Sequence, residues 1–274
     1  MSTITSAPTS YFVYSSLSFY AGRRDDMLPG RWFVQALADA GQEEASVRQT
    51  LHRLERADAI RARQVGREKF YSAAPFGRAE IDAGLSKIFG AAPEPWDGMW
   101  TVVVSRFPPD ERSQREQLRG LMEVEGFATL APGVFIHPHA SAIARLEKAA
   151  EEANAPKRYC SIRGPLAGDL LPDNVAALWN FNDLAKRYRR FVKRFEPRLR
   201  ERSPAPRDCF VQRFDVVFEF LGIAWEDPEM PPELLPSSWP AGEARNVARR
   251  LYERLLPGAI RHADAVYESL NRGA

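Results

Sequence analysis

The sequence predicts an α+β protein, on three observations. Between Leu28 and Ala73, two short helical patterns precede a basic strand–turn–strand pattern. Between Thr101 and Ile162, runs alternate in the order strand, helix, strand, strand, helix, strand. From Trp179 onward the apolar periodicity is mainly helical. A chain of 274 residues accommodates two or three modest domains more readily than one large core.

The first segment is taken as residues 1–91. A helix is expected from about Ser6 to Ala21, to complete a small core. Pro29 suits the first turn of the next helix, where its missing N–H costs little. Trp32, Phe33, Leu37 and Ala40 recur there at helical spacing, and Gly41 ends the run. After a turn over 42–45, a second helix is expected to run to about Asp58, with Val47, Leu51 and Leu54 as its apolar face. Ser46, Gln49, Arg53 and Arg56 fall roughly opposite, with Arg48 and His52 on the flanks. Residues 60–65 and 68–73 read as strands joined at Gly66-Arg67, and a helix follows from Pro75. Helix, turn, helix and hairpin in that order make a winged helix-turn-helix.

Such a unit can lay its second helix in the major groove, where Arg and Gln read base edges. Ser46 and Thr50 are candidates for phosphate contact, which fixes position without reading sequence. Arg61, Arg63, Arg67 and Lys69 would bring the hairpin's positive charge beside the duplex. From Arg48 to Lys69 there are seven Arg/Lys against three acids. The candidate DNA-binding set is therefore Ser46, Arg48, Gln49, Thr50, His52, Arg53, Arg56, Arg61, Arg63, Arg67 and Lys69.

Ala91-Ala92-Pro93-Glu94-Pro95 marks a boundary, and a central domain is taken as 92–178. Thr101–Ser105 is a buried-strand run, and a helix is expected over Pro109–Val124. Short strands at 126–130 and 133–137, a helix over Ser141–Asn154 and a strand at 158–162 follow. That order is ferredoxin-like, an architecture that by itself assigns no function.

The third segment, 179–274, is expected to be a mainly helical domain serving effector binding or dimerisation. From Asn180 to Arg213 it carries eleven Arg/Lys and four acids. Phe181, Leu184, Tyr188, Phe191, Val192 and Phe195 recur there at mostly helical spacing. Three readings of this amphipathic helix stand side by side: a core helix with a charged outer face, a second nucleic-acid surface, or a site for an anionic effector. A helix is expected over Phe210–Leu221, a proline-rich loop over 225–236, and two final helices, Glu243–Leu255 and Pro257–Leu270, separated at the proline.

Several function classes are disfavoured. Cys160 and Cys209 are the only cysteines, too few for a disulfide framework or a four-cysteine zinc site, and a cytoplasmic setting is expected. The N-terminus lacks a signal pattern, no stretch is long and apolar enough to span a bilayer, and no membrane partner is expected. His137 and His139 have no evident third ligand, and Cys160 reads as structural despite Arg158 and Arg163 nearby. No phosphate-binding glycine loop or nucleophile elbow is present, so no enzyme activity, cofactor or metal is expected.

These residues resemble the family of PaaX-like repressors. The resemblance rests on 47–54 and on Gly66-Arg67 before Phe70-Tyr71 in the first segment. It continues in Trp96-Asp97-Gly98 with Trp100, Gly126-Phe127 with Leu130, Pro132-Gly133-Val134 and Pro138. At the end it rests on Trp179 with Tyr188 and Phe191, Asp227-Pro228, residues 232–236, and Trp239-Pro240. It implies a homodimeric repressor of a catabolic operon, bound to double-stranded operator DNA and released by a small molecule, an aryl-coenzyme A thioester in the namesake group and an aryl- or acyl-coenzyme A thioester as the class expected here. Such a thioester carries negative phosphates and an apolar acyl group, which call for basic side chains beside aromatic surface, and Arg187, Tyr188, Arg190, Phe191 and Arg194 offer that combination. The sequence departs from the family pattern at Ala57-Asp58-Ala59, which lacks the usual glycine, and at 219–224, which lacks the usual aromatic and basic residues. The central domain also resembles CRISPR-associated endoribonucleases, but its first strand ends Val104-Ser105-Arg106, without their metal-binding acid.

Overall fold

The computed structural model describes residues 7–24, 26–90, 96–167, 178–179 and 181–272, in an α+β architecture with two small sheets. The boundary expected at Ala91–Pro95 lies outside them. The chain runs α1 (Thr9–Tyr20), β1 (Leu28–Pro29), α2 (Gly30–Ala38), α3 (Glu44–Arg56), β2 (Ile60–Val65), β3 (Glu68–Ala73) and α4 (Pro75–Phe89). It continues through β4 (Trp100–Ser105), α5 (Arg112–Val124), β5 (Ala128–Ala131), β6 (Val134–His137), α6 (Ala142–Glu152) and β7 (Tyr159–Gly164). Three helices close it: α7 (Phe181–Phe195), α8 (Pro206–Ala224) and α9 (Ala241–Arg272). Two compact units result. One comprises the described parts of Met1–Gly90, Tyr188–Gly222 and Ala241–Ala274, the other those of Ala91–Arg187 and Ile223–Pro240. The helices expected over 179–274 thus contribute to both.

In the first unit, β1, β3 and β2 form an antiparallel sheet in that order. The hairpin has the expected bounds, with Val65 opposite Glu68 and Gly66 at φ 60° in the turn. Pro29 differs from expectation: it caps α2 from outside the helix and pairs with Phe70 as a strand residue. Its ring-fixed φ of −69° suits an extended edge strand as well as a helix start. Helices α2 and α3 both end in a left-handed residue, Gly41 at φ 78° and Asp58 at φ 51°. In each the next N–H reaches back to a helix carbonyl, Gln42 to Leu37 at 3.0 Å and Ala59 to Leu54 at 2.9 Å. Asp58 stands in the stretch where the family resemblance leads one to expect glycine; aspartate tolerates this conformation better than most residues.

The core of this unit takes Phe12, Val13 and Leu17 from α1, Trp32, Phe33 and Leu37 from α2, and Val47, Leu51 and Leu54 from α3. It is completed by Phe210 and Phe214 of α8 and Ala259, Ala263 and Val266 of α9. Helix α9 does not break at Pro257, where two helices were expected. A proline deletes one helical hydrogen bond, but one buried stripe continues in phase across it, from Val247, Leu251 and Leu255 to Ala259, Ala263 and Val266. Burial of that stripe outweighs the lost bond. Beside the proline, Gly258 lets α9 approach α8: a Cβ there would lie 2.4 Å from Cys209 Sγ. Arg213 is buried without a carboxylate partner among the described residues, its guanidinium carbon 4.1 Å from the Phe19 ring centre and 3.9 Å from that of Tyr252.

The second unit holds an antiparallel sheet in the order β5, β6, β4, β7. Strand alternation sends Val103 and Phe135 to one face, under Leu118 and Met122 of α5 and Leu146 of α6. Trp100 and Ile136 go to the other, with Phe181, Met230 and Leu234. His137 is fully buried at the end of β6; its Nδ1 accepts from the His139 N–H at 3.0 Å, and its Nε2 has no hydrogen-bond partner among the described residues. Burial first, and then the Arg145 charge, push its pKa down to about 3.

Two expectations follow. Gly258→Ala should lower stability by about 1–3 kcal/mol through overpacking, and by less in a Cys209→Ala background. Denaturation midpoints of the four proteins measure this; purely additive effects would remove the Cys209 sulfur as the obstacle. His137 binds a proton more readily unfolded, near 6.5, than folded, near 3. Its contribution is therefore complete above the unfolded value and declines as pH falls through that window, by on the order of 4–5 kcal/mol in all. His137→Asn keeps an acceptor for the His139 N–H and should flatten this acid loss, read as urea midpoint against pH; parallel curves for the two proteins would refute the assignment.

Candidate nucleic-acid interface

Helix α3 and the β2–β3 hairpin bring the candidate residues together in one unit, but not on equal terms. Gln49, His52, Arg53 and Arg56 are exposed on α3, away from the buried Val47, Leu51 and Leu54. Arg48 is exposed and paired with Glu44 one turn earlier at 2.7 Å. A solvent-facing pair of this kind contributes about 0–1 kcal/mol, so a phosphate can compete for the arginine.

Thr50 requires correction. It is 7% exposed, and the 3.6-residue turn puts it within about 60° of Val47, inside the buried face. Ser46 is half-buried, and its hydroxyl lies 2.8 Å from that of Thr9, which also donates to Gln42. The Ser46 hydroxyl thus serves the packing of α1 against α3, and the Thr50 side chain lies within the buried face of α3. The sequence pattern marks them as polar; the turn geometry of α3 turns Thr50 inward, and the position of α1 engages Ser46.

In the hairpin, Arg61 and Arg63 alternate onto one exposed face and Arg67 sits at the turn. Lys69 is exposed but lies on the other face, opposite Gln64, and its ammonium meets Glu55 of α3 at 3.0 Å. That pair ties the hairpin to the helix. Arg31, not anticipated from the sequence, adds a second tie at the start of α2 by pairing with Glu68 at 2.8 Å. Arg53, Arg56, Arg61, Arg63 and Arg67 are thereby left exposed without an ion pair among the described residues. Five uncompensated guanidiniums on one helix and one hairpin form a surface suited to a polyanion.

The residues suggested for an effector do not stand together on an open surface. Tyr188 and Phe191 are 2% and 0% exposed, their rings packed toward Phe220. Arg187 is paired with Glu226, one of its bonds 2.8 Å long, which holds that carboxyl below its usual range. Arg194 is held by Glu219 and by Asp215 at 2.9 Å. Arg190 remains exposed. Helical periodicity places the aromatic rings on the inner face of α7, and the acids that neutralise the arginines come from distant parts of the chain. A recess of about 160 Å³ lies near the start of α7, lined by Trp179, Phe181, Leu184, Arg187, Glu226 and Pro228 among others. Pockets for drug-sized ligands run to roughly 300–1,000 Å³, so this one is too small for a coenzyme A thioester. Among the described residues no group of three His, Cys, Asp or Glu side chains could hold a metal ion. No helix among them is long and apolar enough to cross a membrane.

Residues 93–165 match a family model described as the PaaX protein central Cas2-like domain. Residues 179–265 match one described as the PaaX-like protein C-terminal domain. The transcriptional repressor PaaX of Escherichia coli (strain K12) is 26% identical over 233 residues, covering 82% of this chain and 73% of its own length. Among solved structures, the uncharacterized protein Rv0674 from Mycobacterium tuberculosis superposes with a TM-score of 0.60 at 19% identity, over 92% of this chain and 97% of that one, a likeness of fold. Central and C-terminal models of one family, matched in order over more than half of the sequence, establish that the chain belongs to the PaaX-like family.

Proposed function

We propose that this protein is a transcriptional repressor that binds operator DNA through its first unit and is released by a small-molecule effector. In this reading the N-terminal part of the first unit, up to residue 90, is a winged helix-turn-helix, with α3 as recognition helix and the β2–β3 hairpin as wing. The second is a ferredoxin-like module. The observation that carries the reading is the set of guanidiniums on α3 and the hairpin that no carboxylate neutralises. It is supported by family membership and by similarity to a curated repressor. Gln49 and Arg53 are the side chains assigned to base edges; Arg61, Arg63 and Arg67 are assigned to phosphates.

One recognition helix covers too few base pairs for strong selectivity, so the working form is a homodimer on two half-sites. The effector class, an aryl- or acyl-coenzyme A thioester, comes from the family resemblance. The buried rings of Tyr188 and Phe191 argue against placing its pocket on α7.

Mobility-shift titrations on the DNA upstream of the protein's own gene and of its neighbours test the reading. Arg53→Ala should weaken operator binding by about 1–3 kcal/mol and relax discrimination at one base position. Arg67→Ala should weaken binding evenly across sequences and lower the salt slope by about one. Thr50→Val, inside the core, should leave DNA affinity unchanged. Undiminished affinity in both arginine variants would refute the assigned interface.

A further inference from the structure

We propose that the outer face of α7 is a second DNA-contacting surface, which grips the phosphate backbone of the duplex without reading bases. The proposal rests on the repressor reading above and extends it to a part of the chain outside the helix-turn-helix. Lys186, Arg189, Arg190 and Lys193 stand at positions i, i+3, i+4 and i+7, so they share one stripe. All are exposed, and none has an ion pair among the described residues. The other basic residues of the helix differ. Arg187 and Arg194 flank the stripe and are bound by Glu226, Asp215 and Glu219. The structure therefore divides a run of basic residues into a neutralised pair and an uncompensated stripe.

The stripe works against the isolated helix. Like charges three and four residues apart repel, and here every neighbour within the stripe is a like charge. Phe181, Leu184, Ala185, Tyr188, Phe191, Val192 and Phe195 hold the opposite face in the cores, so the charged side chains have no role in packing. A polyanion laid along the stripe removes that repulsion. At 1.5 Å per residue the charges span about 10 Å of helix axis. A DNA strand carries one phosphate per about 3.4 Å of its axis, so the stripe faces about three phosphates of one strand.

The same face argues against an acidic protein as the occupant. Protein interfaces are anchored by buried aromatic and aliphatic side chains and are depleted in lysine at their centres. Every apolar side chain of α7 is already buried, so the stripe offers charge and no anchor. Backbone contact with DNA needs only charge.

The test uses the full-length protein with Lys186, Arg189, Arg190 and Lys193 all changed to Gln, a good helix former. Operator affinity is measured by fluorescence anisotropy across a salt series, on the operator and on a scrambled duplex. The expected result is a slope of log K against log salt shallower by about 2–4, near 0.9 per lost contact, with equal losses on both duplexes. Arg53→Ala should do the opposite, losing discrimination while keeping the slope. The Gln variant should melt no lower than the parent, which separates the effect from misfolding. A slope unchanged from that of a parent that does bind the operator overturns this proposal and leaves the repressor reading standing. A parent that binds neither duplex overturns both. A parent that prefers poly-glutamate to the scrambled duplex at equal charge concentration overturns the choice of DNA as occupant.

Discussion

The fold of the candidate DNA-binding unit depends on a union between its helices and the C-terminal pair α8 and α9. Helices α1 to α3 are short, α2 and α3 are apolar on one face only, and Phe210, Phe214, Ala259, Ala263 and Val266 complete the core between them. Polar contacts fix the register of that union. The Trp32 indole N–H donates to the Ala263 carbonyl at 3.1 Å in a buried site. Tyr20 and Arg24 meet Asp264 at 2.8 and 2.7 Å. Asp39, at the end of α2, is held by Arg207 at 2.6 Å and by His262 at 2.8 Å. Close-packed interiors transmit displacement rather than absorb it. A shift of α9 would therefore act on α2 and on the turn that presents α3, which is the mechanical requirement for an effector-released repressor.

Charge acts through its placement. A net charge of +2 over the whole chain carries little long-range attraction for DNA. What matters is where acids stand beside bases. Glu55 and Glu68 are spent on orienting the hairpin through Lys69 and Arg31, which leaves Arg53, Arg56, Arg61, Arg63 and Arg67 uncompensated. The same sorting operates on α7, where acids from outside the helix engage Arg187 and Arg194 but not the outer stripe.

Local patterns in the sequence were enough for the hairpin, because Gly66-Arg67 between two strand-like runs admits few alternatives, and its bounds are those expected. The helical character of α3 and the strand–helix order of the second unit were legible for the same reason. Non-local facts were not. Whether Ser46 faces a phosphate or a neighbouring helix depends on where α1 lies, more than thirty residues earlier in the chain. Whether Arg194 is available to a ligand depends on Asp215 and Glu219 in the next helix. The continuity of α9 through Pro257 depends on what its buried stripe packs against, a matter of tertiary burial that outweighs the local cost of a proline.

These constraints bear on how a protein of this kind obtains specificity. Phosphate contacts raise affinity for any duplex, while base contacts separate the operator from the rest of the genome. On α3 only Gln49 and Arg53, exposed and without an ion pair, combine base-reading chemistry with central placement on the outward face. Two such side chains discriminate only a few base pairs, each mismatch costing about 1–3 kcal/mol. In the proposed homodimer, two copies of the unit on a twofold site would double that discrimination. Phosphate contacts then supply the affinity that keeps the assembly bound at physiological salt. In the proposed dimer an effector would not need to unfold or block the reading helix: a changed spacing between the two helices would suffice, and the buried union of α2 with α9 offers a packed route to the turn that presents α3.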